Sequence, residues 1–184
     1  MKKLKEMEFF ERLLDNPKNE LVEKALQEGR VAIGYNCSMV PDPLLSMGSA
    51  FPVRLRAPGV GTTELANHYL STFICTYARS VLEAALDGAY DFLGGLVYAP
   101  SCAHITRCSQ HFDLLKIIDN NKSFFATFIE TSRKVYEPGI RMMADGMRKA
   151  AEEMSQRYGI DTSDDALRKA IDDIVNDLEV DNNG

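Results

Sequence analysis

The chain has 184 residues, of which 45% are hydrophobic and 26% charged, as is typical of one globular domain or of one domain with a helical appendage. Its net charge of −6 argues against a nucleic-acid partner, because binding a phosphate backbone requires a basic face. The charged N-terminus does not resemble a signal peptide and no apolar run is long enough to span a bilayer, so we expect a cytoplasmic protein without a membrane partner.

Hydrophobic periodicity predicts helices and strands in alternation. Two short helices, over Lys3–Leu14 and 20–27, come first. The predicted elements that follow are a strand in RVAIGYNCS, a short helix in MVPDPLLSMGSA, a strand in FPVRLRA, helical segments from Thr63 to Leu86 that meet near Cys75, a strand in FLGGLVYAP, a helix in SCAHITRCSQHFDLLKII, a strand in FFATFIE, and amphipathic helices in EPGIRMMADGMRKAAEEMSQRYG and SDDALRKAIDDIVNDLEV. This alternation predicts an α/β fold, with a Rossmann- or flavodoxin-like, mostly parallel sheet flanked by helices.

The same pattern predicts three segments: a helical segment over residues 1–29, an α/β domain over 30–135 and a helical segment over 136–184. The last predicted helix carries a wide apolar stripe, which needs a surface to pack against. It either folds back on this domain or leads into a second domain outside this chain. The stripe consists of Leu167, Ala170, Ile171, Ile174, Val175 and Leu178.

Thiols stand near the carboxyl ends of predicted strands, where sites form in open α/β sheets. A cytoplasmic thiol stays reduced, and it is most often a small buried hydrophobe. Cys102 begins a predicted helix, whose amides and dipole favour a thiolate, and thiolates are the ligands of iron–sulfur clusters. Cys75 and Cys102 could hold one side of a cluster, and Cys37 could join them. Cys108 lies about 9 Å further along the helix than Cys102, which favours a structural role.

Other chemistry is less well supported by the residues. Cys102 and His104 are two positions apart on a helix and do not face each other, which disfavours a hydrolase dyad. His104 could instead be a proton donor or a hydrogen-bond partner. The GVGTT loop lacks the lysine of a phosphate loop and is interpreted as a surface turn. Four arginines could steer a phosphorylated substrate, although each alone is typical of a surface charge: Arg54, Arg56, Arg79 and Arg107.

Two stretches together are specific: GYNCSMVPDPLLSMGSAFPVRLRAPG, and ANHYLSTFICTYARSVLEAALDGAYDFLGGLVYAPSCAHITR. The chain resembles the N-terminal half of the 2-hydroxyacyl-CoA dehydratase and benzoyl-CoA reductase family. The main marks are Cys75 with Tyr77, Arg79 and Ser80, the DFLGGLV strand, and the Ser101-Cys102-x-His104 turn. The resemblance implies that this chain is part of a subunit about twice as long.

The resemblance also implies a [4Fe-4S] cluster, held in each subunit of a heterodimer by three cysteines. Cys75 and Cys102 match two of these ligands, and the third is expected from a second α/β domain outside this chain. Ser38 lies where the family places a small hydroxyl residue near the substrate. In this interpretation Ser38 and His104 are the candidate catalytic residues.

The implied reaction uses an acyl-CoA substrate, the second homologous subunit and a separate ATP-hydrolysing iron–sulfur activator. The activator supplies one electron, which the cluster passes to the thioester carbonyl, and the ketyl radical anion allows the β-hydrogen and the hydroxyl to be lost. In the reductase branch the electrons enter an aromatic ring instead. The alternatives that stay open are a benzoyl-CoA reductase-type subunit, a non-catalytic assembly or electron-relay paralogue, and an unrelated α/β domain with incidental thiols.

Overall fold

The computed structural model describes residues 5–132 and 134–181. In chain order its elements are α1 (Lys5–Asp15), α2 (Glu20–Gln27), β1 (Val31–Tyr35), α3 (Asp42–Leu45), β2 (Ala50–Arg54), a 3₁₀ turn (Ala66–His68), α4 (Thr76–Leu86), β3 (Gly95–Tyr98), α5 (Ala103–Leu114), β4 (Phe125–Phe128), α6 (Glu137–Tyr158) and α7 (Asp164–Asp181). The predicted α/β fold is therefore confirmed. No helix in the described ranges is both long and apolar enough to cross a membrane.

The four strands form one parallel sheet in the order β2-β1-β3-β4. This order matches the first four strands of flavodoxin-like sheets. The chain winds outward from β1 to β2 and then crosses back to β3 and β4. The connection after β1 therefore leads to one edge of the sheet, and the connection after β3 leads to the other edge.

Helices cover both faces of the sheet. One face packs against α2, α4 and α5, through buried side chains such as Val22, Leu82 and Phe112. The other face packs against α3, α6 and α7, through side chains such as Leu45 and Met154. Coverage on both faces explains why the strand predicted in FLGGLVYAP is apolar at nearly every position: all four residues of β3 are buried.

The segment predicted to be helical from Thr63 to Leu86 differs from expectation. Only the 3₁₀ turn forms before Cys75, and a regular helix begins at Thr76. The helix ends at Leu86, two residues before Gly88, which has φ +82°, a left-handed value that glycine adopts without strain. The chain before Cys75 is thus a loop that must be held in place by side chains.

The last helix folds back on the sheet only in part. Ala170 is buried against the face that α3 covers, whereas Ile171 and Val175 are 42% and 45% exposed. Leu178 of the predicted stripe lies outside the residues whose side chains are described. Ser163 caps the start of α7, because the Ala166 N–H donates to Ser163 Oγ at 3.3 Å. The division into segments at residues 29 and 135 stays a prediction.

Candidate functional site

Three of the four cysteines lie at the carboxyl edge of the sheet. Cys37 follows β1, Cys102 follows β3 and precedes α5, and Cys75 precedes α4. Because β1 and β3 are adjacent and their connections, α3 and α5, pass to opposite faces, the space beyond them is the topological switch point of the fold. Ligands bind at such points in open α/β sheets.

A hydrogen bond joins the two cysteine-bearing helix starts. The backbone N–H of Cys75 donates to Nδ1 of His104 at 3.0 Å. An Nδ1 atom that accepts a hydrogen bond carries no proton, so the neutral His104 ring has its proton on Nε2. The structure therefore brings Cys75 and His104 into contact, although 29 positions separate them in the sequence.

Cys102 is the N-cap of α5. Its Sγ accepts from the Ile105 N–H at 3.5 Å, and its carbonyl accepts from the Thr106 hydroxyl at 2.8 Å. The sulfur atom of Cys102 therefore lies against the free amides at the start of α5. Cys75 is the N-cap of α4, but its sulfur makes no capping hydrogen bond. Both side chains are exposed.

The loop before Cys75 is fixed by two charged residues of α4. The Arg79 guanidinium donates to the Ile74 carbonyl at 3.1 Å and to the Asn67 side chain at 2.9 Å. The buried Glu83 carboxylate accepts from the N–H groups of Leu65 and Ala66 at 3.2 and 2.7 Å. Sequence patterns did not identify Glu83, although it is a single carboxylate on an otherwise apolar helix face.

Cys37 and Ser38 begin the turn after β1. Cys37 is half-buried and its carbonyl accepts from the Val40 N–H at 3.0 Å, while Ser38 is exposed. The residue before them, Asn36, is buried and donates from Nδ2 to Ser109 Oγ at 2.5 Å, which connects the end of β1 to α5. Ser38 thus lies on the same edge as Cys75 and Cys102.

Tyr77 stands in the first turn of α4, two residues after Cys75. Its hydroxyl donates to the Leu55 carbonyl at 2.9 Å. Burial raises the pKa of Tyr77, Arg54 opposes the rise, and the thiols of Cys108, Cys37 and Cys75 add to it. Tyr77 therefore stays protonated near neutral pH.

Cys108 is in the core, as its spacing predicted. It is fully buried, and burial raises its thiol pKa to about 12, with a smaller contribution from Cys75. All four cysteines are free thiols. In residues 5–132 and 134–181, no group of three histidine, cysteine or acidic side chains could hold a metal ion. The site therefore offers two exposed thiols and a nearby third, without a complete ligand set in this part of the chain.

Comparison with known proteins gives a consistent result. The family model described as "2-hydroxyglutaryl-CoA dehydratase, D-component" matches residues 37–176. The chain is 29% identical to the (R)-phenyllactyl-CoA dehydratase beta subunit of Clostridium sporogenes over 165 residues, which cover 89% of this chain and 42% of that protein.

Two other relatives are also named as dehydratase beta subunits. The (R)-2-hydroxyglutaryl-CoA dehydratase subunit beta of Acidaminococcus fermentans is 24% identical over 90% of this chain and 42% of its own length. The lactoyl-CoA dehydratase subunit beta of Anaerotignum propionicum is 25% identical over 52% of this chain and 25% of its own length. The chain thus spans less than half the length of the curated relatives that it matches.

Proposed function

Because this chain belongs to the 2-hydroxyglutaryl-CoA dehydratase D-component family, we propose that it forms the N-terminal α/β domain of one subunit of a 2-hydroxyacyl-CoA dehydratase. The observation that carries the proposal is the hydrogen bond from Cys75 to His104, which links the starts of α4 and α5, each capped by an exposed cysteine. The three relatives are named as dehydratase beta subunits, which favours the dehydratase branch over benzoyl-CoA reduction.

The donor set at this edge fits part of an iron–sulfur site. Cys75 and Cys102 are accessible thiols at helix starts, and cysteine sulfurs are the usual ligands of iron–sulfur clusters. In the proposal these two residues hold one side of a [4Fe-4S] cluster, and the third ligand comes from a second α/β domain outside this chain. Cys37 is the alternative third donor within this chain.

When bound, the cluster would supply one electron to the thioester carbonyl of an acyl-CoA, after reduction by an ATP-hydrolysing activator. The chain's own residues then have distinct roles. His104 keeps its Nδ1 atom on the Cys75 amide and retains the Nε2 proton, which it can donate at this edge. Ser38 offers a hydroxyl on the turn after β1.

The exposure of this edge supports a partner subunit. Radical chemistry requires that water be excluded, yet Cys75 and Cys102 are exposed, and Phe73, two residues before Cys75, is 90% exposed. In the proposal a second, homologous subunit and the remaining domain cover this surface. The activator transfers its electron to the assembled enzyme.

Anaerobic reconstitution with iron and sulfide tests the ligand assignment. The 184-residue chain is expected to bind iron weakly, at less than one cluster per chain, and to lose it to a chelator. Cys75→Ser and Cys102→Ser are each expected to reduce the bound iron, while Cys108→Ala, which removes a buried thiol, leaves it unchanged. Equal iron binding by all four proteins would contradict the ligand assignment.

Activity is tested with the chain joined to a second α/β domain and combined with a partner subunit, activator, ATP and a reductant. We expect ATP-dependent formation of an enoyl-CoA from a 2-hydroxyacyl-CoA, and none from the 184-residue chain alone. Reduction of benzoyl-CoA instead would identify the reductase branch. Iron binding without either activity would favour an electron-relay or assembly role.

A further inference from the structure

A groove runs between the N-terminal helices and β2, the edge strand of the sheet. Its volume is about 670 Å³, within the range of small-molecule sites. One wall is apolar and includes Leu14, Leu21 and Phe51. The groove is also lined by two tyrosines and two arginines: Tyr35, Tyr77, Arg54 and Arg56. We call this space the β2 groove.

The β2 groove is locally basic in an acidic protein. No aspartate or glutamate is among its lining residues, although the chain has a net charge of −6, and the carboxylate beside it is Asp42, which interacts with Tyr35 on the wall. Arg54 and Arg56 form no ion pair with the described residues. Within the part of the chain that the structure describes, the Arg56 guanidinium donates one long hydrogen bond, of 3.4 Å, to the Leu13 carbonyl. Two guanidinium groups without acidic partners are suited to bind phosphate oxygens.

The two arginines point to one ligand because of their spacing. Arg54 ends β2 and Arg56 follows two positions later, while Leu55 between them is fully buried. Residues two apart on an extended chain lie on the same side, so both guanidinium groups are presented to the groove. A ligand with more than one phosphate could contact both.

The β2 groove opens beside the cysteines. Tyr77 lines the groove and stands in the first turn of α4, two positions after Cys75. Tyr35, on the same wall, ends β1 two residues before Cys37. A ligand held by the arginines therefore has a short path to the candidate thiolate site.

The outer edge of β2 is poorly suited to a bound peptide. Pro52 stands in the middle of this strand and has no N–H to donate to an added strand. A strand added by a protein partner would lack a backbone hydrogen bond there. The groove therefore favours a small anionic molecule with an apolar or aromatic part.

We propose that the β2 groove binds the phosphorylated, adenosine-containing portion of a coenzyme A thioester, with Arg54 and Arg56 on its phosphates. This inference rests on the proposed function, which makes an acyl-CoA the substrate. The names of the relatives support it, since their acyl groups differ and coenzyme A is what they share. The apolar wall with Phe51 can accept the adenine ring, and the thioester end lies toward the cysteines.

Titration calorimetry on the 184-residue chain with coenzyme A tests this site. Arg54→Gln and Arg56→Gln are each expected to weaken binding about tenfold, because each removes a charge-assisted hydrogen bond to phosphate. Arg54→Lys keeps the charge and is expected to lose less affinity. Arg148→Gln on α6 removes the same charge from a remote exposed helix and should bind as the wild type does. Added salt should weaken binding.

Binding measurements with adenine nucleotides distinguish a site for coenzyme A from a site for a free nucleotide. ADP and 3′,5′-ADP are expected to bind more weakly than coenzyme A, and ADP binding as tightly as coenzyme A would overturn the inference in favour of a free nucleotide. The inference would also be overturned if the chain did not bind coenzyme A, or if the arginine variants bound it equally well. Neither result would decide the dehydratase proposal, which the activity assay tests separately. Arginine-dependent binding without dehydration in the assembled enzyme would contradict the proposed function alone.

Discussion

The backbone N–H of Cys75 donates a 3.0 Å hydrogen bond to Nδ1 of His104. This bond is the direct connection between the start of α4 and the first turn of α5, and exposed thiols stand on both sides of it. The two helices also pack against each other in the same buried cluster. The His104 side chain adds a direct link between the two ends that carry Cys75 and Cys102.

Replacing His104 tests this link. His104→Asn keeps an acceptor at the same number of bonds from the backbone as Nδ1, whereas His104→Gln moves it one bond further out. We expect the Gln variant to lose about 0.5–1 kcal/mol in the free energy of unfolding and to show faster alkylation of Cys75, because the loop is released. The Asn variant should behave as the wild type does in both respects. Mass spectrometry after iodoacetamide treatment measures the rate, and equal rates in all three proteins would contradict the role of this bond.

Glu83 gives a second prediction. Its buried carboxylate accepts from the N–H groups of Leu65 and Ala66, and Glu83→Ala leaves both donors without a partner. The free energy of unfolding should fall by about 3 kcal/mol, since an unsatisfied buried donor costs about 1–3 kcal/mol. Amide hydrogen exchange at Leu65 and Ala66 should also accelerate. Glu152→Ala, on the exposed side of α6, is the control and should change stability by less than about 0.5 kcal/mol. Slow exchange at both amides in the Glu83 variant would show that the loop is held by other contacts.

Sequence patterns predicted the elements whose packing is regular, and missed those held by single side chains. The four strands follow from apolar runs between turn signals. The loop before Cys75 was predicted as helix because its residues have helical periodicity. Its actual shape depends on Glu83, nearly twenty positions away, and a local pattern carries no information about such a contact.

The candidate site was predicted in the same partial way. The switch point is a property of strand order, so the position of Cys37 and Cys102 beyond β1 and β3 could be expected once the strands were assigned. The contact of His104 with Cys75 could not, because it depends on how α4 and α5 pack together. The β2 groove was also missed: its arginines were scattered charges in the sequence, and only the fold places them beside Tyr35 and Tyr77.

The glycine of β3 gives a third prediction. A Cβ atom on Gly95 would lie 2.4 Å from Cε1 of Phe125, on the neighbouring strand β4. Gly95→Ala is therefore expected to lower the free energy of unfolding by about 1–3 kcal/mol, because the buried Phe125 ring must move within a packed face. Gly61→Ala is the matched control: a Cβ atom there meets nothing within 4 Å, so stability should be unchanged or slightly higher. Urea denaturation measures both, and a neutral Gly95 variant would show that the sheet adjusts freely at this point.

The buried thiol of Cys108 predicts a dependence of stability on pH. Burial raises its pKa from the ordinary value of 9.0 to about 12 in the folded protein. The folded chain therefore retains a proton that the unfolded chain releases, so this contribution to stability is complete below pH 9 and is lost as the pH rises toward 12. The slope approaches about 1.4 kcal/mol per pH unit inside that window. Cys108→Ala costs packing energy at every pH but removes this slope, so the difference between the two proteins should shrink from pH 8 to pH 10. Urea denaturation at both pH values measures it, and a constant difference would mean that the Cys108 thiol ionises as easily in the folded chain as in the unfolded one.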